Sequence, residues 1–257
     1  MDRSPHGRPL TVGLLVLVAA SCGRVAFDPL EGPGPIDGPD EDTVTSLCTG
    51  PWLVAHWRLD ETTGATIVDA AGNHDGVWTD ANDGTVATEA MPGQHAGALR
   101  FDTGSSVYVP GFVVPSQGTF AAWLTSDFDD SAAPGGNHPM VFDAPTPRST
   151  ISYAADIGAY GLRTNDVSWQ TTFTSPGDLT GWFHLAATWS ASGSQLYLNG
   201  APVGTPGVTD ARSTSPAGLY LGTREQGARW WGGLIDDVRF YDYPLNATKV
   251  AQVYACP

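Results

Sequence analysis

Charge is scarce in this sequence, positive charge most of all. Of 257 residues 15% are charged, with 12 Lys and Arg against 27 Asp and Glu, a formal net charge of −15. So acidic a surface repels phosphate backbones and anionic headgroups, and the sequence shows none of the Lys/Arg clustering that nucleic acid requires, which argues against such a partner. Methionine is rare at three, and with so few charges a helical bundle is disfavoured. No Ser/His/Asp arrangement, metalloprotease helix or Gly-rich phosphate loop stands out. His56, His74, His138 and His184 are scattered, and a lone strand histidine is more often structural than catalytic. What is abundant is Gly 31, Pro 20 and the aromatics Trp 9, Tyr 8 and Phe 9, the composition of many short strands joined by tight turns. The length suits one large all-β domain.

The longest apolar run, Leu10 to Ala20, is too short to span a bilayer and follows Arg3, His6 and Arg8, the pattern of an export signal over residues 1–21. It ends in Ala19-Ala20-Ser21-Cys22, which resembles the lipobox of bacterial lipoproteins, whose cysteine becomes the lipidated N-terminus. That resemblance implies an exported chain anchored by lipid in the cell envelope, at the outer membrane or cell surface. Ordinary cleavage after a small residue, giving a secreted soluble protein, is the alternative. Three cysteines is an odd count; with Cys22 acylated, Cys48 and Cys256 remain to bracket the domain. A bridge between them would contribute roughly 5 kcal/mol at most in the chain-entropy view. Two buried thiols is the other reading.

Residues 22–47 interleave Pro29, Pro33, Pro35 and Pro39 with Gly and with Asp28, Glu31, Asp37, Asp40, Glu41 and Asp42. Such a segment builds no core, and it reads as a tether with a reach of at most roughly 80 Å. Residues 48–257 read as the globular domain, and from Trp52 onward the period changes to two. Leu53, Ala55, Trp57 and Leu59 fall on one face, with Val54, His56 and Arg58 on the other. Further strands are expected at 98–101, 107–109, 119–124, 140–142, 151–154, 160–163, 183–189, 195–198, 202–203, 219–221 and 234–241. Asn199-Gly200 is a two-residue reversal in which both residues need positive φ. Only Asn246 to Tyr254 reads as helix, with Asn246 as N-cap.

Four segments carry a resemblance. They are Val54 to Gly76, containing Asp69-Ala70-Ala71-Gly72-Asn73-His74-Asp75-Gly76; Gly97-Ala98-Leu99-Arg100-Phe101-Asp102; Trp182 to Trp189 followed by Leu196-Tyr197-Leu198-Asn199-Gly200; and Gly233-Leu234-Ile235-Asp236-Asp237-Val238-Arg239-Phe240-Tyr241-Asp242. In that order they resemble the laminin-G-like jelly rolls of concanavalin A-like type. The resemblance implies an all-β sandwich of two antiparallel sheets with a short C-terminal helix, its first and last strands adjacent.

Members of that fold class bind calcium near the sandwich rim, and the resemblance offers Asp60, Asp69, Asn73 and Asp236 as ligands. Asx turns at Asp69 and Asn73, with Asp236 bonding local backbone, explain the same residues. For a sugar face the stacking candidates are Tyr160, Trp169, Trp230 and Trp231. The adjacent pair Trp230-Trp231 should divide between core and solvent. The loop Ser126 to Pro139 adds Asp127 and Asp129, which solvation also accounts for. Related sandwiches that cleave glycans place paired carboxylates on one sheet. Here Glu31, Glu41, Glu61, Glu89 and Glu225 form no such cluster, and Asp236 and Asp237 alternate across a strand, so no catalytic residues are expected. The expectation is a surface-anchored recognition or adhesion module for carbohydrate or an envelope protein, with calcium as its one conceivable cofactor. A glycan-cleaving enzyme and a structural envelope component are the alternatives.

Overall fold

The computed structural model describes residues 44–128, 138–145, 148–164, 168–177, 179, 181–207, 218–225 and 227–257. The expected export signal, Cys22, most of the expected tether and Asp129 lie outside the described residues. Among the described residues no helix is long and apolar enough to cross a membrane.

Two antiparallel sheets of eight strands face each other. The first runs β14 (Ala201–Gly207), β13 (Gly193–Leu198), β12 (Phe183–Ser190), β7 (Gly118–Leu124), β16 (Gly233–Tyr241), β5 (Gly97–Phe101) and β4 (Ala90–Pro92), with β1 (Leu53–Trp57) also on β16. The second runs β11 (Thr171–Thr174), β10 (Ala159–Arg163), β9 (Ser149–Ala154), β8 (Met140–Ala144), β15 (Leu219–Leu221), β6 (Ser106–Val109), β3 (Gly76–Thr79) and β2 (Thr66–Ile67). The first and last strands are neighbours, as expected: Trp57 lies directly opposite Val238. Asn199 (φ 50) and Gly200 (φ 77) make the expected reversal between β13 and β14.

The inner core is aromatic at its centre. Phe240 packs on Trp57, Phe112, Phe120 and Phe142 with ring centroids 6.1, 5.1, 5.2 and 5.3 Å away, all steeply inclined. Rings from both sheets and a loop are thereby locked in edge-to-face contact, a geometry that adds about 0.5–1.5 kcal/mol per pair beyond burial.

A second, smaller core covers the outer face of the first sheet. Here Ala121, Ala186, Tyr197 and Tyr241 meet Leu47 of α1 (Val44–Thr49) and Val250 and Val253 of α2 (Ala247–Tyr254). The Asn246 side chain caps α2 by accepting from the Lys249 N–H. Cys48 and Cys256 form a disulfide joining the two helices' ends. Leu47, the last residue of the expected tether, is buried against the first sheet, and its carbonyl accepts from the Tyr241 hydroxyl. Leu53 also departs from the simple alternation. A register shift between Leu53 and Ala55 turns Leu53 to the outer core, whereas Ala55 and Trp57 face inward.

Candidate functional site

The geometry of the first hollow is set by one extra residue in β16. Asp236 pairs with Trp123 and Arg239 with Ala121, so three steps along β16 match two along β7. Ile235 and Val238 can then both point into the core, and Asp236 and Asp237 both face outward. The expectation that these two aspartates lie on opposite sides of the strand is thus corrected. Asp237 takes the left-handed conformation (φ 53) that the bulge requires.

Both aspartates line a hollow of about 330 Å³ with His56, Arg58, Asp60 and His95. Asp237 Oδ1 receives His56 Nε2 at 2.5 Å and Arg239 Nη2 at 3.0 Å. Burial pushes the Asp237 carboxyl up, but the His56 hydrogen bond and the Arg239 charge outweigh it and hold the group below its ordinary value. Asp236 differs. Its Oδ2 accepts from the His95 N–H at 2.8 Å, and among the described residues its Oδ1 has no hydrogen-bond partner. Burial, reinforced by Asp237 and Asp60, raises it to about 7 against the His95 N–H. One strand further, beyond Trp123, His184 packs its ring on Trp123 and Tyr254, and burial lowers it to about 3. Three histidines that look scattered in sequence, His56, His95 and His184, thus share this outer face.

The four expected calcium ligands do not form one set. Asp60 and Asp236 line this hollow, but Asp69 does not. Asp69 Oδ1 accepts from the N–H groups of His56 (2.8 Å) and Ala71 (3.0 Å), and Oδ2 from that of His74 (3.1 Å). It organises a turn in which Asn73 is exposed. Among the described residues no group of three or more His, Cys, Asp or Glu side chains is disposed to hold a metal ion.

The second hollow, about 270 Å³, opens at one end of the sandwich, where β5 and β7 finish and β8 and β16 begin. Trp230, Phe128 and Pro139 form apolar walls, Tyr153 and Trp231 lie behind them, and Asp102 and Asp127 supply carboxylates. Trp231 is anchored by its indole N–H on the Thr125 carbonyl (3.0 Å) and meets Phe128 edge to face at 5.3 Å. Asp127 is ion-paired with Arg100, and Asp102 Oδ1 accepts from the Ser105 hydroxyl at 2.8 Å. Half-buried Trp230 is left at the rim, so the expected division between Trp230 and Trp231 is observed. Apolar walls with two oriented acceptors make a surface on which a polyol with one apolar face can rest.

Of the residues expected to meet a ligand, Asp127, Trp230 and Trp231 come together here. Tyr160 does not: it is fully buried in β10, stacked on Phe173 at 5.3 Å, because the strand alternation turns it into the core. Trp169 lies in a different hollow, considered below. Asp102, Phe128 and Tyr153 were not expected. Asp102 and Phe128 were the nearer to being legible, since Asp102 closes the segment Gly97 to Asp102 and Phe128 directly follows Asp127.

Comparison with known proteins decides the family. The sequence model of the concanavalin A-like lectin/glucanases superfamily matches residues 101–251. The chain belongs to this superfamily. No curated protein sequence matches the chain. Among solved structures, the concanavalin A-like fold recurs in domain 4 of AbnA, a GH43 extracellular arabinanase from Geobacillus stearothermophilus, in complex with arabinotriose. The TM-score is 0.56 at 22% identity, covering 79% of this chain and 98% of that one. Trypanosoma rangeli sialidase gives a TM-score of 0.54 at 16% identity over 79% of this chain, which spans 32% of the sialidase. The binding domain of botulinum neurotoxin serotype D/C gives 0.56 at 12% identity, over 79% of this chain and 52% of that one. At these identities the likeness is one of fold.

Proposed function

We propose that the chain is a non-catalytic carbohydrate-recognition module held at the bacterial cell envelope, lipid-anchored through Cys22. The observation that carries recognition is the end hollow, where Trp230 and Phe128 offer aromatic surface beside Asp102 and Asp127. Sugar rings stack on such surfaces while their hydroxyls donate to carboxylates. The arabinotriose held by the arabinanase domain supports a neutral sugar as a first probe. Export is supported by the Cys48–Cys256 bridge, since disulfides persist in oxidising compartments.

Isothermal titration of the full chain with neutral oligosaccharides, arabinotriose first, tests the reading. Binding that Trp230→Ala removes while the melting temperature holds is the expected result. Equal affinity in that variant counts against the hollow. The catalytic alternative draws on Asp236, whose raised value suits a proton donor. Release of reducing ends from any common polysaccharide, lost in Asp236→Asn, would favour it over the non-catalytic reading.

A further inference from the structure

Arginine is sparse and dispersed in this sequence, yet the fold gathers four of the chain's 12 cationic residues around one hollow of about 200 Å³. Arg148 stands at the start of β9, Arg163 at the end of β10, and Arg224 and Arg229 in the loop before β16. Their counter-charges are few. Arg148 grips the buried Asp143 with Nη1 (3.1 and 3.0 Å to its two oxygens) and reaches Glu225 Oε2 at 3.5 Å. The Arg163 guanidinium lies 4.4 Å from the Trp169 ring. Arg224 and Arg229 form no ion pair among the described residues, and neither is fully exposed. Burial and the charges of Arg224, Arg148 and Arg163 all lower the Arg229 pKa, so this side chain is held against repulsion. Its backbone is held against strain as well, at φ 59, where glycine or asparagine would sit more easily. In a chain of net charge −15, a half-enclosed cluster of guanidinium groups answers to an anion.

This hollow and the aromatic one are two sides of a single ridge. Met140 donates its N–H to the Arg229 carbonyl at 3.0 Å. His138, Met140 and Arg229 face the arginine side, and their chain neighbours Pro139 and Trp230 face the aromatic side. Trp169, on the arginine side, lies flat over Gly161, where a Cβ would come within 2.6 Å of its Cε3.

We propose that the arginine hollow takes the oxyanion substituent of an acidic saccharide, a carboxylate or a sulfate ester, while a neighbouring residue of that saccharide rests on Trp230 across the ridge. The inference rests on the glycan reading of the aromatic hollow and names the class of glycan. Arg224 and Arg229 each bring a guanidinium fork of N–H donors to the hollow for the oxyanion, which the carboxylates Asp102 and Asp127 on the other side would repel.

The test is titration of the full chain with three trisaccharides of equal length, one neutral, one bearing carboxylates and one bearing sulfate esters, and with inorganic sulfate alone. The acidic sugars are expected to bind about 10- to 100-fold more tightly than the neutral one, the range for charge-assisted bidentate hydrogen bonds. Arg224→Gln with Arg229→Gln should bring them to the neutral level without lowering the melting temperature. Whichever acidic sugar binds more tightly assigns the oxyanion, and measurable binding of inorganic sulfate that the double variant loses supports the same site. Equal affinity for neutral and acidic sugars overturns the inference. That comparison is made within the wild-type chain and needs no variant to fold. If neutral binding remains and depends on Trp230, the glycan reading stands alone. Acidic binding that Trp230→Ala leaves unchanged overturns the bridging across the ridge, and failure of every sugar to bind overturns both readings.

Discussion

Two groups on the outer face of the first sheet should pull the stability of this domain in opposite directions with pH. Burial raises Asp236 from its ordinary 3.8 to about 7, and burial lowers His184 from 6.5 to about 3. A carboxyl raised in the folded state keeps its proton where the unfolded chain has lost it, so the Asp236 contribution falls from about pH 4 to about pH 7. A histidine lowered in the folded state stays neutral where the unfolded chain binds a proton. The His184 contribution therefore rises from about pH 3 to pH 6.5. Each slope is about 1.4 kcal/mol per pH unit, with totals of about 4 and 5 kcal/mol at most. Between about pH 4 and 6.5 the two cancel.

Replacing one member exposes the other. Asp236→Asn keeps an acceptor for the His95 N–H and supplies a donor where the proton sat. Its stability relative to wild type should climb by about 3 kcal/mol between pH 4 and 6.5. His184→Gln should decline by a similar amount over the same interval, on top of a constant penalty for lost packing. Urea denaturation at half-unit intervals, with the disulfide intact and the m-value checked for constancy, measures both. Wild-type and Asp236→Asn stabilities that run parallel across this range would refute the argument, because Asp236 would then ionise in a solvated hollow.

Reduction of Cys48–Cys256, which are 208 residues apart, should cost up to about 5 kcal/mol and lower the melting temperature; calorimetry with and without reductant reads it, and coincident transitions would refute it. Phe240→Ala removes the ring shared by four aromatic neighbours and should cost about 3–5 kcal/mol in urea, against well under 1 kcal/mol for the exposed Val77→Ala. Cys22→Ala should move the protein from the membrane fraction to the soluble one, and continued lipid labelling of that variant would contradict the anchor.

The long strands were legible because their two faces differ. In β12, Phe183, Leu185, Ala187 and Trp189 face the inner core and Ala186 the outer one, a period-two pattern that survives although nearly every residue is buried. Asn199-Gly200 and the Asn246 cap were legible because each residue type meets one local backbone requirement. The short strands β2, β3, β4 and β11, at or next to the sheet edges, escaped, since two to four residues carry little alternation. Helix α1 escaped because its six residues follow an acidic Pro-rich stretch, and what holds it is tertiary: Leu47 burial, the Tyr241 hydroxyl and the disulfide. The sites were legible only in part. Trp230 could be singled out as an aromatic in a loop, but its convergence with Asp102 and Phe128 depends on which strand ends the sheet pairing brings together. The four arginines lie up to 81 positions apart, from 148 to 229, and only the second sheet's pairing makes them neighbours.

The bulge in β16 shows why the outer hollow exists at all. This strand pairs with β7 along one edge, but its other edge changes partner, from β5 opposite Gly233 to Ile235, to β1 opposite Val238 to Tyr241. At the handover, Asp236 and Asp237 face a gap in which two left-handed residues, Leu59 (φ 60) and Asp237 (φ 53), turn the chains apart. Without an inserted residue Ile235 and Val238 would point to opposite faces, and one flank of the Phe240 cluster would be lost. The insertion restores the inward set, and its consequence is a second outward side chain beside the first. Two adjacent buried carboxylates cannot both remain charged without partners. His56 and Arg239, themselves cross-strand partners, offset the charge of Asp237, whereas the Asp236 carboxyl is pushed up to about 7. The unusual protonation of this face thus follows from the register that the hydrophobic core demands.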